Sequence, residues 1–182
     1  MAEVERSLAQ MLAILADNST GDITPEDLRD MLLSLDPPHG SAYMEGNAVE
    51  TVIATVDVYA VIAGVFSEGD DLYEFTVSPT GGRLTFTGAS PRHMQLSSNF
   101  DIVAAGNNKS ISAKWHKNGS PITRAPRVKR FIGTGADQGA TAVSGDVVLE
   151  SGDYVDLRVA NHTDSTNMTL EDVRVSAFGF LV

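Results

Sequence analysis

Four histidines, His39, His93, His116 and His162, are the residues of this sequence best suited to hold a metal ion or move a proton. Each is isolated, and none forms a His-x-His pair with a nearby Glu, the spacing with which strands build a compact metal site. The chain has no Cys, which excludes disulfides, thiolate metal ligands and Cys nucleophiles. A Ser-His-Asp arrangement stays open by residue count, although no Gly-x-Ser-x-Gly elbow occurs. Neither a P-loop nor a dinucleotide fingerprint is present. Glu68, Asp70 and Asp71 around Gly69 carry enough charge for calcium but lack the Ca-loop spacing, so a solvated acidic loop is expected. The residues thus point to no catalytic group, no metal and no cofactor. Asn18, Asn108, Asn118, Asn161 and Asn167 each open an Asn-x-Ser/Thr triplet and read as turn residues.

One charge feature stands apart. Lys114, Lys117, Arg124, Arg127, Lys129 and Arg130 place six of the thirteen basic residues in a stretch without Asp or Glu. Pro121 and Pro126 make much of it a loop. Arg124, Arg127, Lys129 and Arg130 form a candidate basic docking loop for an acidic neighbour; a solvated loop that balances an acidic protein is the alternative. With a net charge of -11, nucleic acid is not an expected partner, because phosphate binding rests on net basic contacts.

The elements that would position these groups fall into two regions of the 182 residues. Apolar residues make up 42% and charged residues 20%, too apolar a mixture for a disordered chain. The acidic start, Met1-Ala2-Glu3-Val4-Glu5, lacks the positive charge of a secretory signal, so synthesis in a cytoplasm is expected. Apolar runs such as Val61–Phe66 fall far short of the roughly 18 residues that span a bilayer, and no membrane partner is expected.

Residues 1–40 read as a helical arm and linker. Val4, Leu8, Met11, Leu12 and Leu15 share one face at helical period, and residues 17–21 break it. Thr24 can cap a second helix, with Pro25 in its first turn and Glu26 and Asp27 at its positive end. Leu28, Met31, Leu32 and Leu35 supply its apolar stripe, and Asp36-Pro37-Pro38-His39-Gly40 ends it. Helices this short are marginal alone, so the stripes pack either on the downstream domain or on another chain.

From residue 41 to residue 182 the period is two. Tyr73, Phe75 and Val77 alternate with polar residues. Leu84 and Phe86 follow the Gly81-Gly82 turn, and Met94, Leu96, Phe100 and Ile102 share a face. Ile111, Ala113 and Trp115 precede the Asn118-Gly119 turn, and Val147, Leu149, Val155, Leu157 and Val159 flank another turn at residues 151–153. A last strand is expected from about Met168 to Val182, apolar on both faces beyond Ala177. Short strands with turns between them indicate an all-β antiparallel sandwich or barrel. The doubly apolar end indicates a subunit interface or a central strand.

Several segments together resemble a known group. They are Gly82-Arg83-Leu84-Thr85-Phe86-Thr87-Gly88, Pro91-Arg92, Ala105-Gly106-Asn107-Asn108 and Lys117-Asn118-Gly119, then the run from Val147 to Val159 and the ending Phe178-Gly179-Phe180-Leu181-Val182. Their order resembles phage virion domains of jelly-roll type and is similar to the tumour-necrosis-factor and complement globular-head group. Residues 18–24 and 27–29 look like the helical leader that precedes such domains in phage structural proteins. The resemblance implies a jelly-roll β-sandwich behind a two-helix arm, assembled as a homotrimer with Tyr154, Phe178, Phe180 and Val182 at its interface. It further implies a non-enzymatic capsid cement or decoration protein in the virion. Leu8, Met11, Leu12, Leu15, Leu28, Met31 and Leu32 would anchor it to the major capsid protein or another virion protein. The alternative is a receptor-binding tip or short tail fibre that recognises a host surface glycan.

Overall fold

The structure, a computed structural model, describes residues 36–134, 137 and 139–180, together with 10, 13, 23, 24, 27, 28, 30 and 31. Its strands in chain order are β1 (His39–Met44), β2 (Ala60–Val61), β3 (Ser67–Glu68), β4 (Phe75–Ser78), β5 (Arg83–Phe86), β6 (Arg92–Ala104), β7 (Lys109–Lys117), β8 (Ser120–Pro121), β9 (Val128–Ile132), β10 (Gly139–Leu149), β11 (Tyr154–Asn161), β12 (Met168–Thr169) and β13 (Val173–Gly179).

Period-two patterning in these segments builds two antiparallel sheets. The first has the order β10-β6-β13-β1-β3, with β12 also on β6. The second has the order β4-β5-β11-β7-β8, with β2 on β11 and β9 on β7. With the shortest strands set aside, β1-β13-β6-β10 face β5-β11-β7-β9, and the first long strand pairs with the last. Apart from the neighbours β7 and β9, successive strands of this set cross between the sheets, which is the connectivity of a jelly roll. The expected all-β sandwich is therefore present.

The alternating residues form its core. Met94, Leu96, Phe100 and Ile102 of β6 lie within 4% of full burial, and Leu84, Phe86, Trp115, Leu157 and Val159 are fully buried from the other side. Trp115 ties the sheets directly: its indole N–H donates to the Val143 carbonyl of β10 at 3.3 Å. A buried indole N–H without such an acceptor would lose a hydrogen bond it has in water. Between β7 and β8, Asn118 (φ 50°) and Gly119 (φ 82°) both take the left-handed conformation that a tight hairpin of the I′ kind requires.

Three expectations change. The two-helix arm is not established: Gln10, Ala13, Asp27, Leu28, Asp30 and Met31 are helical, but no helix is delineated among the described residues. What is present is a local capping pair: Thr24 Oγ1 accepts the Asp27 N–H at 3.2 Å, and Asp27 Oδ2 accepts the Thr24 N–H at 3.0 Å. The Pro-Pro segment is not a free linker, because Pro38 is buried and its carbonyl accepts the Gly179 N–H at 2.7 Å. A Cβ on Gly179 would meet Pro38 Cγ at 2.6 Å, so glycine is needed for this approach. Finally, the last strand is split. The Asp101 carboxylate accepts the N–H groups of Glu171 and Asp172 at 3.1 and 2.8 Å, which pulls the chain out of the ladder between β12 and β13.

Candidate functional site

The two sheets differ in what covers their outer faces. Over the second sheet, the chain's own residues 57–59 lie across β7 and β11, so that Ser112, His116 and Asp156 are at most 2% exposed although they point away from the core. Among the described residues, nothing covers the central rows of the first sheet in this way. There the register aligns Ser41, Ser176, Ser97 and Ser144 in one line across β1, β13, β6 and β10. On one side of this line stand Tyr43, Arg174, Asn99 and Ala142; on the other stand His39, Phe178, Gln95 and Asp146. In these three rows the charged side chains are Arg174 and Asp146, with His39 the one group that titrates near neutrality. Small, flat and sparsely charged, the surface is unlike ordinary solvated sheet, where charged residues prevent association.

One end of this face is apolar. Phe178, Phe180 and Val148 are 49%, 44% and 52% exposed, and the Phe180 ring lies against His93 with centroids 5.9 Å apart. Leaving such groups in water forgoes roughly 25 cal/mol for each Å² of apolar surface that a partner would cover. Of the residues expected at an interface, the structure brings Phe178 and Phe180 together here, while Val182 lies outside the described residues. Tyr154 is on the other sheet, half-buried beneath Arg83, whose guanidinium carbon sits 3.8 Å from the ring centroid. Among the expected anchors, Leu8, Met11, Leu12, Leu15 and Leu32 lie outside the described residues; Leu28 is exposed and Met31 half-buried.

Two grooves open on the face. One, of about 660 Å³, runs across one end of the sheet, from Asp70 after β3 past Tyr43, Glu45, Asp172 and Arg174 to Asp101 of β6 and Ala140 of β10. Beside β10 a second, of about 440 Å³, has His93, Asp146, Phe180 and Arg124 in its walls. The expected basic loop therefore sits against β10. Arg124 and Arg127 are exposed there; Lys129 is exposed on β9 of the second sheet, opposite Ser112, and Arg130 is held by Asp137 at 2.8 Å. His39, at the β1 margin, has its imidazolium favoured by the Pro37 carbonyl, which outweighs burial, and by Asp71 at 3.2 Å.

A second constellation lies under residues 57–59. His162 Nδ1 meets Asp57 Oδ1 at 2.5 Å, His162 Nε2 meets Ser112 Oγ at 2.7 Å, and Ser112 Oγ meets the Tyr59 hydroxyl at 3.0 Å. A neutral imidazole that donates from Nδ1 to the carboxylate must accept at Nε2. Ser112 then donates to His162, and Tyr59 donates to Ser112. The order carboxylate, imidazole, hydroxyl is that of a nucleophile relay. Ser112 is nevertheless 2% exposed, and its strand is paired on both sides, to Lys129 of β9 and Ala160 of β11. Neither of the two grooves reaches its Oγ. Chemically, the arrangement can fasten residues 57–59 to the sheet. No sequence signal marks it, because its members lie 50 to 105 positions apart.

Beside the relay, His116 stacks on Tyr59 with centroids 5.1 Å apart. Burial pushes its imidazole below the ordinary value, helped by Arg158 and Lys114 and opposed by its hydrogen bond to the Lys114 carbonyl. Arg158 grips the buried Asp156 with two hydrogen bonds of 2.9 and 3.0 Å.

No family model matches the sequence, and no curated protein is similar to it. Among solved structures, the fold is similar to Eiger TNF from S. frugiperda, at 15% identity over 79% of this chain and 93% of that one, with a TM-score of 0.47. It is also similar to murine APRIL, at 9% identity over 78% of this chain and 99% of that one, with a TM-score of 0.48. The jelly-roll description rests on the strand order and register of the two sheets themselves.

Proposed function

We propose that the chain is a non-enzymatic structural protein of a phage virion: a homotrimer that decorates the capsid surface and holds neighbouring shell subunits together. In this reading it is made in the host cytoplasm, and its residues 1–35 dock on the major capsid protein. The observation that carries it is the outer face of the first sheet, which no described residue covers and where exposed Phe178 and Phe180 stand beside the serine line. A flat face of small residues suits close approach of a second rigid surface, and its aromatic end supplies the apolar anchors that interfaces use. A glycan-binding tip would instead stack sugars on loop aromatics. Among the described residues the exposed aromatic side chains are Tyr43, Phe131 and Phe178, on strands, and Phe180 directly after one.

The test has two arms. Ser97→Glu and Phe178→Asp place charge on the face at exposed positions, so the melting temperature of the subunit should hold while light scattering shows the trimer lost. A chain lacking residues 1–35 keeps Pro38 on Gly179 and should remain a folded trimer, yet bind poorly to shells stripped of the protein. Trimers that survive both charge substitutions would sink the interface, and undiminished decoration by the shortened chain would sink the anchoring role of the arm.

A further inference from the structure

We propose that the basic strap carrying Arg124 and Arg127 docks against Glu45 and Asp70, at the acidic end of the groove beside Tyr43, of the next copy, so that the subunits close head-to-tail into a ring. The inference rests on the homotrimer reading and adds a charged contact between unlike margins to the apolar one at Phe178 and Phe180.

It starts from the placement of charge on one sheet. The order β10-β6-β13-β1-β3 puts β10 at one margin and β3 at the other. Against β10 the strap is firmly seated: a Cβ on Gly145 would meet the Ala125 Cβ at 2.4 Å, and Ala125 is fully buried. Seated this way, the strap presents Arg124 and Arg127 outward, and neither has a carboxylate partner among the described residues. Arg130 is neutralised by Asp137 and takes no part. The charges nearest the strap include Asp146, already engaged with His93 at 3.2 Å.

The opposite margin is the complement. Glu45, Glu68 and Asp70 are exposed around β1 and β3, and Glu45, Asp70, Asp101 and Asp172 line the groove with Arg174 as their one cation. Two of these carboxylates have structural work. Asp101 holds the turn before β13, and Asp172 accepts the Gly46 N–H at 2.9 Å. Glu45 and Asp70 are left to face a visitor. Tyr43, on the groove wall, offers its ring to a guanidinium.

Arg124 and Arg127 thus lie at one margin, beside β10, and Glu45, Glu68 and Asp70 at the other, around β1 and β3, with the sparsely charged serine line between them. Like margins brought together would oppose cation to cation or carboxylate to carboxylate. Unlike margins attract, and a contact between two different patches of one subunit generates a ring when its rotation closes.

The full chain is tested by charge reversal at exposed positions. Glu45→Lys with Asp70→Lys reverses the groove, and Arg124→Glu with Arg127→Glu reverses the strap. Each pair should weaken assembly by roughly tenfold or more in dissociation constant, with melting of the subunit unchanged. The chain carrying all four substitutions should recover the wild-type mass, because attraction is restored with its sign exchanged. Raised salt should weaken the wild-type assembly and the fourfold variant alike. A wild-type chain that is monomeric at every concentration would overturn the trimer reading and this inference with it. A wild-type trimer whose two reversed variants assemble normally, or a fourfold variant as dissociated as either pair, would overturn the strap-to-groove contact alone. A dimeric mass would overturn the ring.

Discussion

Replacing His162 with Ala tests what the relay does. The substitution removes one hydrogen bond to Ser112, which is 2% exposed, and one to Asp57, whose side chain is 70% exposed. The first is a buried bond between neutral groups, worth about 0.5–1.5 kcal/mol net. The second is made by a carboxylate that water resolvates once the partner leaves, so it adds at most about 1 kcal/mol. The sum is about 0.5–2.5 kcal/mol, or roughly 1–10 °C in melting temperature for a domain of this size. Because the relay fastens residues 57–59 rather than the sheets, the local effect should exceed the global one. Amide exchange at residues 55–61 should quicken markedly, while the protection of β6 and β13 stays nearly unchanged. Ser112→Ala should cost at least as much, since it strands both the Tyr59 hydroxyl and His162 Nε2 beneath the segment.

The same variants separate fastening from chemistry. If the relay activates a nucleophile, the wild type should hydrolyse an activated ester above background, and Ser112→Ala should abolish that rate. Such a result, or a His162→Ala variant with wild-type melting and wild-type exchange at residues 55–61, would refute the fastening role.

Two predictions concern pH. Burial depresses the His116 imidazole, so the unfolded chain takes up a proton near its ordinary 6.5 before the folded chain does. Stability should be full above that value and fall as the pH drops through it, and His116→Asn should flatten this limb in melts recorded across the range. Asp164 is held at about 2, against an ordinary 3.8, chiefly by its ion pair with Lys109 and also by Thr166. Its contribution is present above about 3.8 and lost as the pH falls toward about 2, so Asp164→Asn should blunt the acid limb of a denaturation curve without moving the neutral midpoint by a comparable amount.

What was legible in the sequence follows from the range of the signal. Met94, Leu96, Phe100 and Ile102 alternate within one segment, and Asn118-Gly119 sets its own turn, so both are readable locally and both stand in the fold. The split between β12 and β13 is not, because its cause is a carboxylate 70 positions upstream. Pro37-Pro38 reads as a linker for a similar reason: proline reports its own backbone, whereas the burial of Pro38 depends on Gly179 at the far end of the chain.

The outer face of the first sheet is the sharpest case. Ser41, Ser97, Ser144 and Ser176 are unremarkable singly, and each satisfies local expectation as the polar member of an alternating pair. Only the register of three ladders turns them into a line. A one-residue slip in any ladder would bring a core residue to that position and break it. The core that fixes the register therefore also shapes the surface: burial of Leu96, Val143, Val175 and Ala42 inward obliges their neighbours to stand outward in step. Sequence alternation alone would have been satisfied by Lys or Glu at those outward positions, as exposed sheet usually is. Serine instead leaves the face flat between an acidic and a basic margin. The opposite sheet, whose outer face the chain covers with its own residues 57–59, shows how this fold treats a face that is not kept open.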